Sequence, residues 1–246
     1  MITALREAWL TVVPDRKGRH GPLPPMLLVL TVVTGLVDAY SYLLLGHAFV
    51  ANMTGNVVFA GFAIAGAPDF ILPATLTALG AFVAGALLAA AIARTARGHR
   101  GQMLARALIV ETLVAVSAYV VALLDGTDYR YLLIVLLGVA MGTQNATARA
   151  LAVPDLTTTV LTLTLTGIAA DSTLVGGSGS RMGRRLLSVA AMFVGALAGT
   201  VAIVHHQDSL PLLMAAAILA LTTVAASVLS RSEGAWIRSG ADTPTK

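Results

Sequence analysis

The chain contains no cysteine in 246 residues. That one absence excludes disulfides, thiolate metal sites, iron–sulfur clusters and a cysteine nucleophile. Charge is scarce as well. Only 11% of residues are Asp, Glu, Lys or Arg, against roughly 25% in a soluble domain, too few to cover a water-facing surface. Aromatic residues are 5% of the chain. No P-loop, G-x-S-x-G, H-E-x-x-H or dinucleotide fingerprint occurs, so an enzymatic or ATP-driven role has no support, and neither a cofactor nor a metal is expected. The glycine-rich run Gly176-Gly177-Ser178-Gly179-Ser180 lacks the Gly-Lys-Ser/Thr end of a P-loop and reads as a link.

What the chain does have is apolar sequence, 57% of residues, which excludes disorder. Eight apolar segments follow one another, at about 26–45, 54–65, 71–93, 104–124, 131–148, 166–175, 186–205 and 210–229. Six approach the ~20 residues of a membrane-spanning helix; the second and sixth are too short to span. Ahead of them, Met1 to Val13 lacks the basic start and cleavage site of a signal peptide. Ile2, Leu5, Trp9 and Val12 recur at helical spacing, as in an interfacial helix, with a frayed tail as the alternative. Residues 14–25 read as a linker. Trp9 and Trp236 flank the set as interfacial anchors.

The basic residues set the expected topology. There are 16 Lys and Arg against 12 Asp and Glu, an excess that in so apolar a chain orients loops and does not point to nucleic acid. If all eight segments cross, the basic residues divide 11 to 5 between the two sides. If the two short segments enter and return on the same side, 15 of the 16 lie inside and only Arg130 lies outside. The positive-inside rule selects the second arrangement. Three spans per half then invert the second half. Gly35-Leu36-Val37-Asp38-Ala39 lines up with Gly142-Thr143-Gln144-Asn145-Ala146, and Thr54-Gly55 with Thr166-Gly167. The expected fold is an all-α polytopic membrane protein with six transmembrane helices, two short re-entrant or broken helices and two inverted three-span repeats. Its divisions are a cytoplasmic N-terminal segment 1–25, repeats 26–124 and 125–230, and a cytoplasmic tail 231–246.

Paired short segments at matching places point to a transporter's midplane site. Asp38 lies near the middle of the first span, where a charge costs about 2.5–3.5 kcal/mol on insertion scales. It is either a proton- or cation-responsive carboxylate or a structural acid bonded to buried backbone, with Arg149 as a partner if the halves approach. Glu111 is the second intramembrane acid. Asn52, Thr54, Gly55 and Asn56 form the densest polar cluster, with Gly55 permitting a turn and Thr54 capping the short helix. Its N-terminus would face an anionic or carbonyl-bearing solute. Thr166 and Gly167 would do the same in the second half, approached by Thr157, Thr158, Thr159, Thr162 and Thr164. Gln144 and Asn145 offer uncharged hydrogen bonds in the fifth span. Gly80, Gly85, Gly195 and Gly199 sit at spacings typical of helix-packing faces.

The runs Gly35–Ala39 and Phe49-Val50-Ala51-Asn52-Met53-Thr54-Gly55-Asn56, with Gln144-Asn145-Ala146 and Thr166-Gly167 later, resemble the YoaK-like bacterial membrane proteins, domain-of-unknown-function family 1275. The sequence departs from that family at Leu165, where members often carry an aromatic. The resemblance implies a multi-pass bacterial inner-membrane protein and, for some members, transport of small hydrophobic molecules; it implies no established substrate. The leading expectation is a secondary transporter of a small solute, proton-coupled through Asp38, in contact with the lipid bilayer. A passive channel and a non-transporting membrane scaffold are the alternatives, and a homo-oligomer is left open.

Overall fold

The computed structural model describes residues 2–13, 18–124, 129–156, 158, 161–171, 182–232 and 234–237. The expectations for Thr157, Thr159, the run 176–180 and the tail beyond 237 lie outside these residues. Among the described residues the chain forms nine α-helices and no strand. They are α1 (Ile2–Val12), α2 (Leu23–Leu44), α3 (Met53–Ile64), α4 (Leu72–Thr95), α5 (Arg100–Ala122), α6 (Arg130–Leu151), α7 (Leu161–Ala170), α8 (Met182–Val204) and α9 (Leu210–Leu229), followed by a 3-10 turn at Ala235–Ile237.

Six of them, α2, α4, α5, α6, α8 and α9, are apolar and run 20 to 24 residues. At 1.5 Å per residue they reach about 30–36 Å, enough to cross a hydrocarbon core. An all-helical solution follows from the sequence, because in lipid each backbone N–H must find its partner within its own segment. Pro24 and Pro73 stand in first helical turns, where the missing N–H costs nothing. The helices α3 and α7 have 12 and 10 residues and do not reach across.

Contacts at the two ends of the bundle establish how the chain runs. Just past α2, Gly46 lies beside Ile71 ahead of α4 and Arg130 at the start of α6, and His47 Nδ1 is 3.1 Å from Asp69 O. The α3 excursion therefore leaves and returns at one end. At the other end the Arg100 guanidinium donates to Arg19 O at 3.2 Å, to Trp236 O at 3.5 Å and to Leu151 O. Arg184 at the start of α8 donates to Pro154 O and Thr11 Oγ1. The α7 excursion thus also leaves and returns at one end, the end that gathers the segments before α2 and after α9.

The closest packing pairs α4 with α6 and α2 with α8, while α5 packs on α9 and α6. The two most enclosed spans are α2 and α6. Glycines make the close crossings. A Cβ on Gly142 would stand 2.0 Å from Phe82 O, and one on Gly85 2.1 Å from Val139 O. At the α2–α8 crossing, a Cβ on Gly35 would stand 2.3 Å from Met192 O, and one on Gly195 2.1 Å from Val32 O. The two crossings correspond residue for residue: Gly35 and Val32 precede Gly142 and Val139 by 107 positions, and Phe82 and Gly85 precede Met192 and Gly195 by 110. At the α5–α9 contact, Leu108, Glu111 and Ala115 are buried 111 positions before buried Leu219, Thr222 and Ala226. Beside them Thr112 Oγ1 meets Thr223 Oγ1 at 2.8 Å.

Three expectations are corrected. Trp236 is no interfacial anchor: it is buried, with its ring against Gly21 and Gly101. Gly80 packs nothing, since the space around it is open. The linker ends at Pro22, because α2 takes Pro24 and Pro25 into its first turn. Trp9 is exposed with Leu5 and Val12, while Thr11 on the opposite side of α1 is buried. The helix thus turns its apolar stripe outward, as a helix lying against lipid does.

Candidate functional site

The polar residues collect in two places along α2 and α6. Asp38 is buried, six residues before the end of α2, so it lies about 9 Å from that end and not at the middle of the span. Its Oδ1 accepts Val50 N–H at 3.2 Å and Ala51 N–H at 2.9 Å. These amides belong to the bent, non-helical stretch that leads into α3, whose own ladder has not begun there. Asn56 grips the same stretch from the other side: its Oδ1 accepts Phe49 N–H at 2.9 Å and its Nδ2 donates to Phe49 O at 2.6 Å. A carboxylate and an amide thus satisfy backbone groups that lipid would leave unpaired. The Phe49 ring lies over Gly55, where a Cβ would be 2.9 Å away, and stacks on Tyr42 at 4.8 Å.

Thr54 does not cap α3. Asn52 holds the N-cap position without a side-chain bond, and Thr54 is exposed within the first turn. Asn52 is exposed too.

A second set of polar contacts lies on α6, with side-chain partners in place of backbone amides. Asn145, half-buried, donates to Met141 O at 2.9 Å and accepts from Thr158 Oγ1 at 3.5 Å. Thr158 stands 13 positions after Asn145, as Ala51 stands 13 after Asp38. Gln144, fully buried, ties α6 to α2 by donating to Thr34 Oγ1 at 2.7 Å and Leu30 O at 3.3 Å. Thr166 and Gly167 do not open α7; they lie inside it because the helix starts at Leu161, and Thr166 is exposed. Arg149 is exposed and makes no ion pair with buried Asp38. The structure does not pack α3 on α7: α3 lies on α4 and α7 on α8.

Glu111 occupies the middle of α5, eleven residues from either end, and is buried. Its Oε2 has no hydrogen-bond partner among the described residues, and the same holds for Asp38 Oδ2, Gln144 Oε1 and Thr147 Oγ1. With Ser188 Oγ in α8, five polar atoms of α2, α5, α6 and α8 are therefore enclosed in an apolar bundle without a bond among the described residues. Among the described residues no three His, Asp or Glu gather where a metal could sit.

Sequence reasoning missed Arg185. It donates to Asp155 at 3.0 Å and Asp171 at 2.7 Å, and its guanidinium lies where a Cβ on Gly167 would reach, 2.6 Å from Cζ. The clamp binds both flanks of α7 to α8. The available signal was that acids bracket the short segment on a side otherwise rich in arginine.

A model of the family described as "Protein of unknown function (DUF1275)" matches residues 26–225. The chain is 34% identical over 147 residues to the UPF0700 transmembrane protein YoaK of Bacillus subtilis (strain 168), an alignment covering 59% of this chain and 65% of that protein. The chain thus matches just under two thirds of its relative's length. No solved structure matches. With six membrane-length helices and the family pattern running from 26 to 225, the chain belongs to the multi-pass membrane family DUF1275.

Proposed function

We propose that the protein is a secondary transporter of a small molecule, not an enzyme, built from two inverted repeats at 26–124 and 125–230 in a bacterial inner membrane with both termini cytoplasmic. The residue-for-residue correspondence of the two glycine crossings supports the repeat. α2 and α6 run in opposite directions between the two ends of the bundle, which supports an inverted relation of the halves. The gathering of arginines at the end that holds Arg19, Arg100 and Arg184 supports the orientation.

The observation that carries the transport reading is the set of enclosed, unbonded atoms, Asp38 Oδ2, Gln144 Oε1, Thr147 Oγ1, Glu111 Oε2 and Ser188 Oγ. Each costs about 1–3 kcal/mol without a partner, and intramembrane acids mark solute or proton paths by default. In this reading the solute site is the seam of α2 and α6, where Gln144 Oε1 is free to accept from a solute donor. Asp38 and Glu111 are the groups that take up or release a proton, and Asp38 couples that step to the α3 approach through its amides.

The test is a thermal-shift screen of small hydrophobic and amphiphilic solutes on the purified chain, followed by flux into proteoliposomes. A solute that stabilises the wild type but not Gln144→Leu, and enters faster under a proton gradient, supports the reading. Flux indifferent to the gradient and retained in Asp38→Asn and Glu111→Gln supports a passive facilitator. No stabilising solute, together with co-purification of another membrane protein, supports a scaffold.

A further inference from the structure

The turn between α4 and α5 takes no part in the site above, yet it concentrates charge. Arg94, Arg97 and Arg106 surround an open hollow of about 720 Å³ with Thr95, His99 and Gln102, and none of the residues lining it is acidic. All three arginines are exposed. Arg106 is held in place, donating to Thr95 Oγ1 at 2.9 Å and to Gln102 Oε1 at 3.5 Å, and His99 Nδ1 caps α5 by accepting Gln102 N–H at 3.0 Å. Arg97 and Gly98 carry left-handed backbone, φ 48° and 81°, which turns the chain sharply between the helices.

The hollow sits where two spans leave the membrane, next to Arg100 and hence at the end that holds both terminal segments. Two helical turns from Arg94 on the same side of α4 stands Leu87, and two turns from Arg106 on the same side of α5 stands Leu113. Both leucines are exposed. The cationic mouth therefore stands at the head of two membrane-length helices, each of which carries an exposed leucine two turns toward the bilayer. A soluble phosphate would use only the mouth; a phospholipid would use both parts. We propose that the α4–α5 turn binds the phosphate headgroup of an anionic phospholipid, whose acyl chains lie along Leu87 and Leu113.

The experiment uses the full chain in neutral detergent and native mass spectrometry with phosphatidylglycerol and phosphatidylcholine of identical chains. The expected result is a preference for phosphatidylglycerol. Each arginine near an anionic surface adds about fivefold to binding, so Arg94→Gln/Arg97→Gln/Arg106→Gln should lower the preference roughly a hundredfold. Arg130→Gln, at the opposite end, should leave it unchanged. If the triple variant does not purify as a single species, Arg94→Gln alone should cost about fivefold. Inorganic phosphate and glycerol 3-phosphate should not displace the lipid. Equal binding of the two lipids, full retention by the variants, or displacement by the soluble phosphates overturns the proposal.

Discussion

Replacing Gly142 by alanine tests the packing of the bundle at its tightest point. The new Cβ would lie 2.0 Å from Phe82 O, 2.8 Å from Phe82 C and 3.0 Å from Phe82 Cα. All three are backbone atoms, so no rotamer change relieves the clash, and α4 and α6 must separate by about 1 Å. A gap of that size forfeits a quarter to a half of each dispersion contact along the seam. Overpacking typically costs about 1–3 kcal/mol, and rigid backbone puts this site at the upper end. Alanine returns roughly 0.5–1 kcal/mol as the better helix former, leaving a net loss of about 2 kcal/mol. For a chain of this length that lowers Tm by roughly 4–8 °C. The assay is thermal unfolding of the detergent-purified protein followed by size-exclusion with fluorescence detection. Gly35→Ala, Gly85→Ala and Gly195→Ala should fall by similar amounts, because each Cβ would meet backbone oxygen at 2.1–2.3 Å. Gly80→Ala, with nothing within 4 Å, should melt at or slightly above the wild type. A Gly142→Ala protein that melts with the wild type, or a Gly80→Ala protein that melts as low as Gly142→Ala, refutes the reasoning.

Other outcomes follow from the polar contacts. Asp38→Asn keeps an oxygen for the Val50 and Ala51 amides, whereas Asp38→Leu leaves both unpaired at about 1–3 kcal/mol each; hydrogen exchange over 50–56 should speed up only in the leucine variant, and equal rates in both would count against the capping role. Arg185→Ala should loosen α7 and raise proteolysis between 155 and 171, an effect of about 1 kcal/mol that high salt diminishes. Gly167→Ala should do the same by displacing the guanidinium, and protection unchanged in both variants would remove the clamp. Single cysteines at Asp69 and Arg97, introduced into a chain that has none, should react with an impermeant thiol reagent from opposite faces of the membrane; reaction from the same face contradicts the described course of the chain.

The spans were legible because lipid imposes one rule on every residue of a segment, so composition and length alone reveal them. The short helices were legible as short, but their starts were not. Thr166-Gly167 copies the letters of Thr54-Gly55, yet α7 begins five residues earlier and carries that pair inside it. Threonine at a helix start and threonine in a helix that faces lipid look alike in sequence. Asp38 was legible as an exceptional residue, and its bonds to Val50 and Ala51 match the structural alternative weighed for it. Its distance from the middle of the span was not, because α2 begins inside a proline-rich stretch that reads as linker. Arg185 and Trp236 were missed for a common reason. Each is defined by a partner far along the chain, Asp155 for the first and Gly21 and Gly101 for the second, and no local pattern encodes such a pairing.

The knot around Arg100 draws on Arg19, Leu151 and Trp236, pieces that leave the ribosome far apart in time. The guanidinium is inserted with the third span, but its last acceptor follows only after the sixth. A nascent chain therefore carries an incompletely bonded arginine at the membrane surface throughout the synthesis of its second half. Trp236 brings the last of these contacts, so the Arg100 acceptors and the packing on Gly21 and Gly101 are complete only once the chain beyond α9 has been made.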